Sequence, residues 1–186
     1  IYNGALTFGA NLDAVRYYVS EIYPLVSEKN PNLKLQVTGR TSGVDLSGID
    51  NCPGVELVGY VDDIRDVLRK SAVCVVPLRQ GGGSRLKILE AMAAGVPVVS
   101  TSIGAEGIDA VNGEHLLLAD TPADFAAAIQ RVICDASLSA DLAGSARRLV
   151  EQRYSWSALA EQFVTAVESV VTQRPLLRRV LMPGVW

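Results

Sequence analysis

Residues 72–101 read AVCVVPLRQGGGSRLKILEAMAAGVPVVST, and the order of residue types along this stretch decides the fold class. The run 73–78 is continuously apolar, the pattern of a strand covered on both faces of a sheet. Gly81, Gly82 and Gly83 break it, a helix follows through Ile88, Leu89 and Met92, and Gly95 with Pro97 closes that helix before a second strand at 97–101. Strand, helix and strand in that order make the two strands parallel neighbours joined by a crossover.

The same alternation extends outward in both directions. Upstream, a short apolar run at 6–8 predicts a first strand ending at Gly9, and Asn11 is the candidate cap of a helix striped by Leu12, Val15, Val19, Ile22 and Val26. Pro24 predicts a kink or the last turn of that helix. Leu33, Leu35 and Val37 alternate with polar residues as a strand, 55–61 reads as a third strand, and Ile64, Val67 and Leu68 mark a helix. Downstream, 116–118 is a short final strand, and Thr121 followed by Pro122 and Asp124 starts a helix with Phe125, Ala128, Ile129 and Val132 inward. Two more helices follow, one through Leu142, Ala146 and Leu149, the other from Ser155 with Trp156, Leu159, Phe163, Val167 and Val170 expected to face inward. The expectation is an α/β fold: a doubly wound, mostly parallel sheet of about six strands with helices on both faces. It assigns 1–172 to one domain and 173–186 to a C-terminal tail.

Composition supports one such core. Of 186 residues 49% are hydrophobic and 20% charged, which excludes a disordered chain, and no apolar run is long enough to span a bilayer. A formal net charge of −3 argues against a nucleic-acid footprint, while a small anionic ligand needs only a few local cations. Three widely spaced cysteines and one histidine support neither a disulfide framework nor a zinc site, so a reducing cytoplasm is the expected compartment. The chain begins at Ile1 with no signal segment, and the expectation is a piece of a longer protein.

In doubly wound sheets ligands sit beyond the carboxyl ends of the strands, so the loop at 80–85 is the first place to look. Glycines before a helix start let backbone amides approach an anion, and Arg85 and Lys87 add cations where the helix dipole disfavours them. A tight turn with two solvated basic side chains accounts for the same spacing. Neither a Walker A loop nor G-x-G-x-x-G occurs. Glu90, three residues after Lys87, admits two roles: an ion pair across one helical turn, or a carboxylate accepting ribose hydroxyls. His115 and Trp156 read as structural, and Glu106 as a loop charge or a residue near a ligand.

The stretch 83–107, GSRLKILEAMAAGVPVVSTSIGAEG, resembles the signature of the group 1 glycosyltransferases, whose two-domain architecture is called GT-B. Agreeing blocks are GANLDAV at 9–15, VTGR at 37–40, VELVGYVDD at 55–63, GEHLLLAD at 113–120 and YSW at 154–156. The resemblance implies the Rossmann-like, donor-binding half of such an enzyme. A nucleoside diphosphate sugar would be its substrate, with no further cofactor and no metal, since no D-x-D motif is present. The acceptor would be held mainly by an N-terminal domain of the same protein. Location in the cytoplasm, with the inner face of the membrane allowed, follows from the same comparison, any membrane contact being made by other parts of the parent. Carried over by position, Glu90 matches the glutamate that holds the ribose. Gly83, Ser84, Arg85 and Leu86 match the loop whose amides face sugar and diphosphate, and Tyr60 and Val61 match the segment that presents backbone groups to the base. Gly82 stands where the family has its first motif glutamate, and Gly9, Ala10 and Asn11 stand where Arg and Lys are usual. Arg40, Arg85 and Lys87 are therefore expected to supply the positive charge for the diphosphate, and the catalytic residues stay unassigned. A non-catalytic nucleotide-binding module and half of a sugar-nucleotide epimerase are the alternatives.

Overall fold

The computed structural model describes residues 1–180. Six strands alternate with helices: β1 (Tyr2–Asn3), α1 (Gly9–Tyr17), α2 (Tyr23–Lys29), β2 (Leu35–Thr38), β3 (Val55–Gly59), α3 (Ile64–Leu68), β4 (Cys74–Val76), α4 (Leu86–Ala93), β5 (Val98–Ser100), β6 (Leu117–Leu118), α5 (Pro122–Cys134), α6 (Ala136–Arg153) and α7 (Trp156–Val180). Every strand pairing is parallel. One three-stranded sheet runs β1-β2-β3 and another β4-β5-β6. They meet where Ile1 N donates to Val73 O (2.8 Å) and Val75 N donates to Ile1 O (2.9 Å). The spatial order is thus β3-β2-β1-β4-β5-β6, and the direction of winding reverses between β1 and β4.

Cys74, Val75, Val76, Val98 and Val99 are all buried, which is why these short strands carry no polar alternation. Crossovers leaving the centre in opposite directions must lie on opposite faces to stay right-handed. The α1–α2 segment, connecting β1 to β2, accordingly packs with α5, whereas α4, connecting β4 to β5, packs with α6.

The structure corrects several expectations. The first strand is Tyr2–Asn3, and 6–8 belongs to the turn beyond it, with Leu6 buried there as a plug. Asn11 lies inside the first turn of α1 and caps nothing, since Phe8 occupies the cap position. The third strand stops at Gly59, two residues short of Val61. Pro24 neither kinks nor ends its helix. A π-helical turn, Tyr18–Ile22, separates α1 from α2, with Tyr23 N bonded to Tyr18 O, and Pro24 falls in the first turn of α2, where its missing N–H costs little. The last helix does not face inward: Trp156 is 89% exposed and Phe163 71%, and Leu159, Val167 and Val170 are exposed as well. Its backbone is helical to Val180, and 181–186 of the expected tail lie outside the described residues.

Candidate functional site

The reversal between β1 and β4 opens a crevice at the carboxyl ends of these strands. A cavity of about 190 Å³ lies there, lined by Phe8, Ala10 and Asn11 from one side and by Gln80, Gly81, Gly82, Ser84, Arg85 and Lys87 from the other. The glycine loop reaches this position because Gly81 (φ +121°) and Gly83 (φ +88°) adopt backbone conformations that side chains disfavour. Gly82 does not, and a Cβ there would meet nothing within 4 Å.

Arg85, at the cap position of α4, is buried at 7% exposure. Its guanidinium donates to Gly81 O (3.1 Å), Gly82 O (3.4 Å) and Ile103 O (2.8 Å), and one nitrogen lies 3.5 Å from the Glu106 carboxylate. Its Nε is buried without a partner. Arg85 therefore ties the glycine loop to the loop after β5, and most of its hydrogen-bonding capacity is used in doing so.

Lys87, in the first turn of α4, is arranged differently. Its ammonium donates to Tyr2 OH (2.9 Å) and Asn11 Oδ1 (2.7 Å) and lies 4.3 Å from the Tyr2 ring centroid. It makes no ion pair among the described residues. Burial, reinforced by the positive charge of Arg85, pulls its pKa down from 10.5 to about 8 against the opposing influence of Cys74 and Glu90. A half-buried cation without an ion-pair partner, at a helix start in the cavity that the glycine loop lines, is a place an anion would relieve.

Glu90 does not pair with Lys87. Its carboxylate accepts from Asn3 Nδ2 (2.6 Å), whose own amide oxygen accepts from Thr38 Oγ1 (3.1 Å). It lines a second cavity of about 360 Å³ with Asp62, Asp63, Arg65, Leu68 and Ala94. Desolvation raises its pKa, while the Asn3 hydrogen bond and the Lys87 charge oppose the rise. α4 thus presents a cation to one cavity and a carboxylate to the other.

Of the residues singled out from sequence, Gly82, Ser84, Arg85 and Lys87 share the first cavity and Glu90 the second. Gly83 lies in the same loop. Arg40, exposed after β2, and Tyr60 and Val61, after β3, occupy neighbouring loops at the same end of the sheet and line neither cavity. Tyr2, Asn3 and Thr38 were not legible as site residues, because their partners lie far along the chain. Among the described residues no group of His, Cys, Asp and Glu could hold a metal ion, and no helix is long and apolar enough to cross a membrane.

Comparison with known proteins matches the family model described as "Glycosyl transferases group 1" over residues 1–135. A 44.6 kDa protein of the Klebsiella pneumoniae cps region is 27% identical over 162 residues, covering 83% of this chain and 42% of that protein. The phosphatidyl-myo-inositol mannosyltransferase of Mycobacterium tuberculosis is 28% identical over 156 residues, covering 79% and 41%. The chain spans about two-fifths of the length of these relatives. Among solved structures, Anabaena HepE in complex with UDP superposes with a TM-score of 0.75 at 16% identity, covering 90% of this chain and 48% of that one. Staphylococcus aureus TarM superposes with a TM-score of 0.71 at 21% identity, covering 88% and 34%. The part of these proteins that the chain matches has the same Rossmann-like fold, one half of a GT-B architecture, and the strand order found here is consistent with it. By its sequence and its fold, the chain belongs to the group 1 glycosyltransferases.

Proposed function

We propose that this chain is the donor-binding part of a glycosyltransferase that moves a sugar from a nucleoside diphosphate sugar to an acceptor held by the rest of the parent protein. The observation that carries the reading is the uncompensated Lys87 ammonium in the glycine-loop cavity. Lys87 and the amides at the start of α4 bind the diphosphate, and Glu90, one turn further along the helix, accepts the ribose hydroxyls. Arg85 shapes the loop and contributes field more than contact. Arg40 and the backbone at Tyr60 and Val61 complete the nucleotide site from the neighbouring loops. HepE, whose fold the chain shares, has been solved with UDP and with UDP-glucose, which makes a uridine nucleotide the first donor to try.

As the glycosidic bond breaks, negative charge grows on the leaving diphosphate. A fixed cation and helix-start amides stabilise that charge in place, without reorganising at the moment of reaction. With Gly82 at the position of the family's first motif glutamate, the residue that meets the donor sugar from this loop is not a carboxylate. Three free thiols, Cys52, Cys74 and Cys134, fit a cytoplasmic protein.

Calorimetric titration with UDP, GDP and ADP tests the reading. One of them should bind, with the affinity lost in Lys87→Ala and reduced in Glu90→Ala. Absence of binding by all three at millimolar concentration would refute it.

A further inference from the structure

Lys87 is held by groups that fix its position without cancelling its charge. Tyr2 OH donates to Asn11 Oδ1 (2.7 Å), the same oxygen that accepts from the ammonium. Asn11 Nδ2 donates to Ala5 O (2.9 Å), which orients the amide so that its oxygen faces the lysine. Had the amide turned over, its NH2 would meet an ammonium, so the main-chain contact sets the acceptor. The cluster thus joins β1, the turn after it, α1 and α4. It also leaves no room: a Cβ on Gly4 would lie 2.8 Å from Asn11 Nδ2 and 3.0 Å from Lys87 Nζ.

A carboxylate in place of either acceptor would hold the ammonium as firmly and neutralise it. A hydroxyl and an amide oxygen hold it and leave the full positive charge, and the tyrosine ring face favours the cation further. We infer that Tyr2 and Asn11 are positioning residues that keep the Lys87 ammonium fixed and uncancelled beside the glycine loop for the donor diphosphate. This inference rests on the donor-site reading above.

The groups facing Lys87 are Tyr2 from β1, Cys74 from β4, Asn11 from α1, and Arg85 and Glu90 on its own helix. Loss of a neutral acceptor leaves the charged form less well held and moves the lysine titration to lower pH. A carboxylate at position 11 moves it to higher pH.

The experiment follows the Lys87 side-chain resonance of the 186-residue chain by NMR across pH, in the wild type and in Tyr2→Phe, Asn11→Ala and Asn11→Asp, with and without inorganic pyrophosphate or UDP. Tyr2→Phe and Asn11→Ala should lower the midpoint by about half a unit or more and weaken pyrophosphate binding at pH 7 roughly three- to ten-fold, the worth of one hydrogen bond. Asn11→Asp should raise the midpoint and still weaken binding, a combination that a purely structural role would not produce. If Lys87→Ala abolishes binding while Tyr2→Phe, Asn11→Ala and Asn11→Asp all match the wild type in midpoint and affinity, the positioning role is overturned and the donor site stands. If neither pyrophosphate nor UDP perturbs Lys87 in the wild type, the donor-site reading is overturned and this role with it.

Discussion

Arg85 and Lys87 stand two residues apart at the start of one helix, line one cavity, and carry the same formal charge. Their surroundings differ in kind. Arg85 is engaged by three loop carbonyls and neighboured by Glu106, so its positive charge is spent on closing one loop over another. Lys87 meets only neutral acceptors and an aromatic face. The sequence makes the two look interchangeable as anion ligands. What separates them is whether the protein has already used the charge.

That contrast can be pressed from both ends. The largest effect expected is on folding: Arg85→Ala frees the glycine loop and strands three carbonyls, costing about 2–4 kcal/mol in a urea titration. Arg85→Lys should recover little of it, because a single ammonium cannot span three carbonyls on two loops. Lys87→Met should act in the opposite direction. The folded state holds this lysine near pKa 8, below its ordinary 10.5, so between those values the unfolded chain binds more protons and wild-type stability rises with pH. At pH 7 the charged form is penalised by the fold. Lys87→Met should therefore raise stability by roughly 1–3 kcal/mol, lack that rise between pH 8 and 10.5, and lose diphosphate binding. An equal loss of stability in both single variants would erase the distinction.

Two smaller effects sharpen the picture. Glu90→Gln should weaken a nucleoside diphosphate roughly ten-fold and leave inorganic pyrophosphate unchanged, because the carboxylate opens onto the other cavity; loss of both would erase the separation between the two cavities. Gly82→Glu should shift stability by no more than about 0.5 kcal/mol, since its backbone is unstrained and its Cβ direction is empty. Gly83→Glu, at φ +88°, should cost measurably more.

How much of this was readable beforehand depends on the range of the interactions. Strands β2 to β6 and α3 to α6 announce themselves through period, punctuation and caps. Thr121, for instance, caps α5 by accepting from Asp124 N at 3.2 Å. β1 does not, because two residues cannot display a period, and the apolar 6–8 run imitates a strand while Leu6 fills a turn. The α7 stripe was legible as a stripe, but no pattern within one helix says what covers it. At the site, the glycine loop, Lys87 and Glu90 are local signals. Their partners are not: Tyr2 and Asn3 lie 85 and 87 residues from the lysine and the glutamate they contact, and nothing in their own neighbourhood marks them. The Lys87–Glu90 pair, one of the two roles the spacing allowed, does not form: Glu90 accepts from Asn3, and Lys87 donates to Tyr2 and Asn11.

The junction between β1 and β4 bears on how the chain folds. Each three-stranded half is assembled from consecutive segments, 1–59 and 74–118, whereas the bond from Ile1 to Val73 closes a separation of 72 residues. Loop-closure entropy makes such long-range pairing slow relative to the local contacts within each half. The two halves can gain structure before they dock, and the Lys87 cluster, which spans the junction, then assembles only when docking is complete. A rate-limiting late phase that restores anion binding and most far-upstream amide protection together would be the kinetic signature of that seam.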